Sequence, residues 1–309
     1  MHKTVLLNET IDGLNLKKNS VVIDATFGGG GHSAEILKRF PETKIIALDQ
    51  DASVWKSERL KEKSRIYFHN ENFRNLDKVL INLGVELSSK SSLGSSTPKV
   101  DGIIFDLGLS SDQLENSGRG FSFMKNEPLI MTMKDQKDYL PSPEDVMASD
   151  VVNTWSEQSL ADIICGYGEE RFGRRIAKGI VERRARRKIE TSFDLVEIIA
   201  NAVPSVYKRG RLHFATKTFQ AIRIAVNDEL GALKEGLEKG LEALSEGGRM
   251  SVISFHSLED RIVKKFYKTK EKEGQAKLIN KKVILASSSE IKNNPRSRSA
   301  KLRILEKIK

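Results

Sequence analysis

The most informative segment of the sequence is Asp24-Ala-Thr-Phe-Gly-Gly-Gly-Gly-His32. It follows the β-branched residues 21–23, which predict a buried strand, and it precedes residues 33–40, whose apolar side chains share one helical face. Glycines between a strand and a helix let a ligand approach the backbone and the helix N-terminus closely. The stretch therefore predicts a ligand-binding turn in an α/β domain.

The spacing of the glycines restricts the ligand. The dinucleotide fingerprint needs glycines at relative positions 1, 3 and 6, but here Ser33 occupies the sixth position after Gly28 and Gly30. A phosphate-binding P-loop needs a lysine, and none follows Gly31. Asp49 ends the next predicted strand, about 20 residues on, where a carboxylate can accept two ribose hydroxyls. These features indicate S-adenosylmethionine, and the competing interpretation is a tight structural turn.

Apolar runs and helical patterns alternate on both sides of this turn. The predicted strands are residues 21–26, 44–49, 65–69, 100–106 and 249–255, and residues 282–285 with 301–305 predict a terminal hairpin. Nearly continuous apolar strands that alternate with helices predict a mostly parallel sheet covered on both faces. Residues 87–98, which are rich in serine, predict a flexible surface loop.

The pattern changes in the middle of the chain. Strand-like runs disappear after residue 111, and helices are predicted for residues 157–166 and between Thr191 and Pro204. We therefore expect three segments: residues 1–111 as the first part of an α/β domain, residues 112–213 as an inserted all-helical domain, and residues 214–309 as the remainder.

Three predicted strands end on an acid, namely Asp24, Asp49 and Asp106. Ligands of open parallel sheets bind beyond the carboxyl ends of the strands. Unpaired buried carboxylates are costly, so packing does not explain three of them at one edge. The sequence predicts a site there, although Asp106 could instead cap a helix or turn.

The predicted insertion carries a basic run between residues 171 and 188. Spacings of three and four predict one helix face for a set of four cations: Arg171, Arg174, Arg175 and Lys178. A nucleic-acid backbone is the natural partner, and the competing interpretation is a solvated basic face. Lys and Arg outnumber Asp and Glu by 52 to 42, and the net charge of +10 also favours an anionic partner.

Composition excludes several other classes. No apolar run is long enough to span a membrane, and the single Cys165 fits a reducing cytoplasm, so we expect a cytoplasmic protein. The five histidines show no paired ligand spacing, so no metal is expected. Ser254 and His256 lack a nucleophile elbow, which argues against a hydrolase.

Ordered motifs along nearly the whole chain resemble those of one family, the bacterial small-subunit ribosomal RNA (cytosine-N4)-methyltransferases of the RsmH (MraW) type. They are His2-Lys-Thr-Val-Leu-Leu, Asp24-Ala-Thr-Phe-Gly-Gly-Gly-Gly-His-Ser33, Asp106-Leu-Gly-Leu-Ser-Ser-Asp-Gln113, Arg119-Gly-Phe-Ser-Phe-Met124, Tyr167-Gly-Glu-Glu-Arg-Phe172, Thr218-Phe-Gln-Ala-Ile-Arg-Ile-Ala-Val-Asn227, Ile253-Ser-Phe-His-Ser-Leu-Glu-Asp-Arg-Ile-Val263 and Asn294-Pro-Arg296.

The resemblance implies a class I (Rossmann-like) S-adenosylmethionine-dependent methyltransferase fold with an inserted helical domain. It implies small-subunit ribosomal RNA, or the small ribosomal subunit, as partner, and it leaves the oligomeric state open, a homodimer included. The cofactor contacts that it implies are Gly30, Gly31, His32, Asp49, Phe73, Asp106 and Gln113. Asp106 and Ser110 are the expected catalytic residues, and His213 and Lys217 join the four cations as expected RNA contacts. The chain departs from the family pattern at Ile130, Thr132, Phe214 and Lys217.

Two alternatives remain open at this stage. DNA N4-cytosine methyltransferases carry Pro-Pro-Tyr/Trp after the strand-four acid, which Leu107-Gly108-Leu109 does not match. A non-catalytic ribosome-assembly factor would need only the basic run, and the intact glycine turn speaks against it. A C5-cytosine product would need a reactive cysteine beside the cofactor, whereas Cys165 is expected to pack in a helix of the insertion.

Overall fold

The computed structural model describes residues 3–56, 64–88, 99–134 and 145–309, and the chain divides into two compact units. The first unit comprises Met1–Gly108 and Leu230–Lys309, and the second comprises Leu109–Glu229. The serine-rich residues 89–98 of the predicted loop lie outside the described part, whereas Leu87 and Ser88 end a helix.

The first unit is built on one sheet of eight strands, counted over the described residues. The strands are β1 (Val21–Asp24), β2 (Lys44–Asp49), β3 (Ile66–Asn70), β4 (Val100–Asp106), β5 (Leu244–Ser254), β6 (Ala276–Leu278), β7 (Ile284–Leu285) and β8 (Lys301–Lys307). Their order is β3-β2-β1-β4-β5-β8-β6, and β7 also pairs with β8. Strands β1 to β5 are parallel to one another, which confirms the mostly parallel, Rossmann-like sheet. Strand β8 is antiparallel to β5 and to β7, and its pairing with β7 confirms the predicted terminal pairing.

Thirteen α-helices are found in the described residues. They are α1 (Leu7–Leu14), α2 (Gly31–Arg39), α3 (Leu76–Ser88), α4 (Ser111–Glu115), α5 (Ala148–Thr154), α6 (Glu157–Gly166), α7 (Gly173–Arg184), α8 (Ser192–Ala202), α9 (Ser205–Lys208), α10 (Thr216–Asn227), α11 (Glu229–Ala243), α12 (Ser257–Lys272) and α13 (Ser288–Asn293). Helices α6 and α8 confirm the two helices predicted for the insertion.

Consecutive residues of β4 show how the sheet is covered. Ile103 and Phe105 belong to a core cluster with residues of α3, α11 and α12, whereas Ile104 belongs to a cluster with residues of α1 and α2. Side chains alternate between the two faces of a strand, so helices on both faces require apolar residues at every position. This explains why the strands read as continuous apolar runs.

The second unit is a helical core of its own, built from α4 to α10. Helix α10 belongs to it because Phe219, Ala221 and Ile222 are buried among the side chains of the helical cluster. The predicted end of the insertion at residue 213 therefore falls inside this unit, which continues to Glu229, and its start lies at Leu109 rather than residue 112. Apolar helix faces alone do not reveal which of two cores a helix joins, which explains the misplaced boundary.

Candidate active site

Three carboxylates meet the same edge of the sheet in the first unit. Asp24, Asp49 and Asp106 are the last residues of the adjacent parallel strands β1, β2 and β4. Asp24 pairs in register with Ala47 and with Ile104. The prediction that the strand-end acids gather at the carboxyl edge is confirmed.

Asp49 holds the glycine turn. Its Oδ2 accepts the N–H of Gly28 at 2.8 Å, and its Oδ1 accepts the N–H of Asp51 at 2.9 Å. Each carboxylate oxygen can accept a second hydrogen bond, so the side chain keeps acceptor capacity for a ligand. Burial raises the pKa of Asp49 to about 6, and the hydrogen bonds from Asp51 and Gly28 oppose this rise.

The turn itself depends on glycine at two positions. Gly30 has a positive φ of 68°, a conformation that side chains disfavour. A Cβ on Gly31 would lie 1.8 Å from Oγ1 of Thr4, so the N-terminal segment packs directly on the start of α2. Thr4 therefore covers one side of the turn, and a ligand can approach the backbone of the turn from the opposite side.

Asp24 and Asp106 lie beside the turn. Oδ2 of the buried Asp24 accepts the hydroxyl of Ser33 at 2.6 Å, and burial raises its pKa to about 6. The N–H of Asp106 donates to Oγ1 of Thr26 at 2.6 Å, and Nδ1 of His32 lies 3.8 Å from its Oδ2. Oδ1 of Asp106 is inaccessible to solvent and has no hydrogen-bond partner among the described residues.

The pKa of Asp106 is raised further than those of the other two acids, to about 8. The largest cause is burial, and the negative charges of Asp24 and Glu259 add to it. A carboxyl with a pKa near neutrality can exchange a proton during a reaction at physiological pH. Asp106 is therefore suited to acid–base work in a way that an exposed aspartate is not.

Phe73 lies three residues after the end of β3, in the 3₁₀ turn Phe73–Asn75. Its ring meets that of Phe105 edge-on, with centroids 5.4 Å apart and planes at 90°. A Cβ on Gly236 would lie 2.7 Å from the Phe73 ring, so α11 packs closely against this ring. The structure places this predicted cofactor contact beyond the carboxyl edge of the sheet.

Several residues that organise this edge were not predicted individually. Glu259 is buried at the start of α12, where its Oε2 accepts the N–H of Phe255 at 2.8 Å. At the other terminus, Nδ2 of Asn294 donates to the carbonyl of Lys3 at 3.0 Å and Oε1 of Glu290 accepts the N–H of Leu6 at 2.8 Å. These contacts hold the segment that carries Thr4. The motifs around residues 2–7, 253–263 and 294–296 contain the signal, but sequence alone does not show that they converge.

Ser110 and Gln113 lie at the beginning of the second unit and form a reciprocal capping box on α4. Oγ of Ser110 accepts the N–H of Gln113 at 3.1 Å, and Oε1 of Gln113 accepts the N–H of Ser110 at 3.0 Å. Their predicted catalytic and cofactor roles stay predictions.

The four cations predicted to share one helix face are not all on one helix. Arg174, Arg175 and Lys178 are exposed on α7, but Arg171 precedes this helix, which begins at Gly173. The arginine approaches the aromatic ring of Phe172 instead, with its guanidinium carbon 4.8 Å from the ring centre. Exposure is what an RNA-contacting surface requires, and the contact itself stays a prediction.

His213 and Lys217 are engaged in the packing of the second unit. The His213 ring stacks on Phe123 at 4.4 Å and on Phe214 at 4.3 Å, and burial lowers its pKa. Nζ of Lys217 donates to the carbonyl of Glu169 at 2.8 Å. Both residues therefore support local structure, and their predicted RNA contacts stay predictions.

The segment with two of the departures from the family pattern, Ile130 and Thr132, is held in place by its backbone. Arg119, which is buried, donates to the carbonyl of Thr132 at 3.2 Å, and Asn227 donates to the carbonyl of Met131 at 2.8 Å. Because these bonds use carbonyl oxygens, they do not depend on the side chains at residues 130 and 132.

The prediction that Cys165 packs in a helix of the insertion is wrong in part. Cys165 lies on α6 in the second unit as predicted, but it is exposed rather than packed. No helix of the described ranges is both long and apolar enough to cross a membrane.

Comparisons with known proteins agree over the full length. A family model described as the MraW methylase family matches residues 1–308. Proteins named ribosomal RNA small subunit methyltransferase H are 46% identical in Clostridium botulinum (strain Kyoto / Type A2), over 325 aligned positions, and 42% identical in Lactobacillus johnsonii, over 329. Each alignment covers 99% of this chain and 99% of the relative. Among solved structures, an rRNA methylase from Streptococcus thermophilus covers 100% of this chain at 13% identity and a TM-score of 0.44, a likeness too weak to add to the fold argument.

Proposed function

Because the chain belongs to the MraW methylase family, we propose that it transfers a methyl group from S-adenosylmethionine to the exocyclic N4 of a cytidine in small-subunit ribosomal RNA. The chain is thus a methyltransferase enzyme, in keeping with the name of its relatives at 42–46% identity. The observation that carries the proposal is the group of three strand-end carboxylates around a glycine turn. One oxygen of this group, Oδ1 of Asp106, accepts no hydrogen bond from the described residues.

The residues present fit S-adenosylmethionine. The cofactor brings ribose hydroxyls, an adenine amino group and an α-ammonium group, all of which donate hydrogen bonds. Asp49 retains acceptor capacity for the ribose, and the fixed ring of Phe73 offers an apolar surface for adenine. Gly30, Gly31 and His32 lie at the start of α2 and are assigned to the methionine portion.

Asp106 is the central group of the mechanism. The N4 lone pair of cytosine is delocalised into the ring, so the amine is a weak nucleophile. The cofactor supplies an electrophilic methyl group on a sulfonium. When the new N–C bond forms and the C–S bond breaks, one N4 proton must leave. The Asp106 carboxylate accepts a hydrogen bond from the amino group and then takes that proton, as its raised pKa allows.

Neighbouring groups keep Asp106 in position for this role. The Thr26 hydroxyl fixes its backbone, and His32 lies on the side of Oδ2. Oδ1 is closed to solvent, so the partly exposed Oδ2 is the acceptor that faces the base in this proposal. Holding amine and methyl donor in line contributes several kcal/mol to such transfers. Ser110 and Gln113, which begin the second unit, keep their predicted catalytic and cofactor roles in this proposal. Since a base within a duplex cannot reach the active site, the target cytidine is unpaired or flipped out of the duplex.

The second unit supplies RNA recognition in this proposal, through Arg171, Arg174, Arg175 and Lys178, together with His213 and Lys217. A small ribosomal subunit and its isolated RNA both present the required phosphates. We also propose that the protein acts in the cytoplasm. The proposal is compatible with a monomer and with a homodimer.

Nucleoside mass spectrometry tests the function. Small-subunit RNA from cells without the gene is incubated with the purified protein and S-adenosylmethionine, and we expect N4-methylcytidine to appear. The Asp106→Asn variant, which keeps the side-chain shape, serves as the matched control and should form little product. A methyl group on carbon 5, or on no base at all, would overturn the proposal.

A further inference from the structure

A partly buried hydrogen bond connects the short helix α9 to the segment before α7 within the second unit. Glu170 is 1% exposed, and its Oε2 accepts the hydroxyl of Tyr207 while its Oε1 accepts the N–H of Phe172 at 2.9 Å. Burial, and after it the hydrogen bond to the Glu170 carboxylate, raises the pKa of Tyr207 to about 12, so the phenol remains a donor. The position of α9 relative to the start of α7 is therefore fixed.

Arg171 is the cation that this arrangement presents. Its guanidinium carbon lies 4.8 Å from the ring centre of Phe172 and 4.9 Å from that of Tyr207. The side chain is nonetheless exposed, and it makes no salt bridge with any carboxylate in the described residues. Stacking on rings restricts the guanidinium while leaving its N–H donors for a phosphate or a base edge.

Three further cations follow Tyr207 directly. Lys208, Arg209 and Arg211 are exposed, and none of them has a salt-bridge partner among the residues that the structure describes. Two other basic residues of the unit are paired: Lys178 lies 3.8 Å from Glu182, and Arg183 lies 3.4 Å from Asp194. The exposed cations at residues 208, 209 and 211 follow the Tyr207 contact that joins the two segments.

We propose that Lys208, Arg209 and Arg211, together with Arg171 and Arg175, form one RNA-binding surface that the Glu170–Tyr207 hydrogen bond holds in place. The inference deepens the proposed function and rests on it. An RNA backbone is the partner favoured because the surface combines unpaired cations with guanidinium groups stacked on aromatic rings, including Arg175 at 5.6 Å from Phe172. The segment 208–211 is thereby assigned to the substrate.

The test replaces Lys208, Arg209 and Arg211 together by alanine in the full chain. Binding to a short oligocytidylate and to small-subunit RNA is measured over a series of salt concentrations. Each neutralised phosphate of a single strand contributes about −0.7 to the slope of log K against log salt, so three lost contacts should flatten that slope by about 2. The charge-matched control replaces three exposed lysines of α12 by alanine: Lys264, Lys265 and Lys268.

Support consists of weaker RNA binding and the flattened slope in the 208–211 variant alone, with its cofactor affinity and circular dichroism unchanged. The proposal is overturned if the slope is retained, if the α12 control loses as much affinity, or if only binding to an acidic polypeptide such as polyglutamate falls. Product formation by the wild-type protein is recorded in parallel. A wild type that makes no N4-methylcytidine refutes the proposed function, whereas an unaltered RNA slope refutes only this surface.

Discussion

Replacing Asp106 by asparagine should abolish most methyl transfer and yet stabilise the protein at high pH. Asparagine keeps the shape but removes the charge that burial, Asp24 and Glu259 make unfavourable. In the unfolded chain this carboxyl has a pKa of 3.8, whereas in the folded protein its pKa is about 8. Between those values the folded state binds a proton that the unfolded state does not, so the free energy of unfolding falls as pH rises.

The size of the effect follows from linkage. Each pH unit within this window lowers the stability by at most about 1.4 kcal/mol, so the ceiling between pH 5 and pH 8 is about 4 kcal/mol. The Asp106 side chain is 21% exposed, and solvent therefore screens part of the charge. We expect the asparagine variant to gain about 2 kcal/mol relative to wild type over this range, with no further gain above pH 8.

Urea unfolding at pH 5, 7 and 9 measures the difference, and hydrogen exchange in peptides of β4 locates it in the first unit. Asp162→Asn, an exposed position on α6, controls for the loss of one carboxylate. A stability difference between the Asp106 variant and wild type that stays constant from pH 5 to pH 9 would refute the reasoning. In the wild type, turnover with RNA should rise with pH up to about 8, because the deprotonated carboxylate accepts the proton.

Three other variants test the remaining assignments. Asp49→Ala should weaken S-adenosylmethionine binding roughly 100-fold, because two hydrogen bonds to a charged acceptor contribute about 3 kcal/mol; unchanged affinity by calorimetry would exclude the ribose role. Reversing Arg171, Arg174 and Arg175 to glutamate should weaken RNA binding and flatten its salt dependence with cofactor affinity intact, and an unaltered slope would leave only a solvated face. Cys165→Ala should retain methyl transfer, since N4 chemistry needs no covalent enzyme intermediate; loss of turnover in the folded variant would contradict the N4 assignment.

The sequence predicted the sheet and its functional edge because both depend on local patterns. A strand that is buried on both faces must be apolar at every position, so an aspartate at its end, such as Asp24 or Asp106, stands out. Glycines between a strand and a helix are equally visible. What local patterns do not reveal is which distant segments meet: nothing near Glu259 or Thr4 shows that each lies beside the edge.

The same limit explains the errors in the helical part. Arg171 fits the spacing of α7, but the regular helix begins only at Gly173, after a local hydrogen bond from the N–H of Phe172 to the carboxylate of Glu170. The helix α10 follows the predicted insertion in sequence but packs in its core. Helical periodicity reports that a face is buried, not against which partner it is buried.

The three acids at the sheet edge are best understood as a cost of folding that a ligand offsets. Burial raises the pKa values of Asp24, Asp49 and Asp106 together, so the ligand-free protein is less stable at neutral pH than it would be with neutral side chains. A purely structural edge would not retain that penalty. A cofactor that carries a sulfonium and an ammonium group provides positive charge and hydrogen-bond donors there, and binding it releases the penalty. The affinity for such a cation and the instability of the ligand-free edge therefore have one physical origin, and substitutions that relieve the instability should weaken binding.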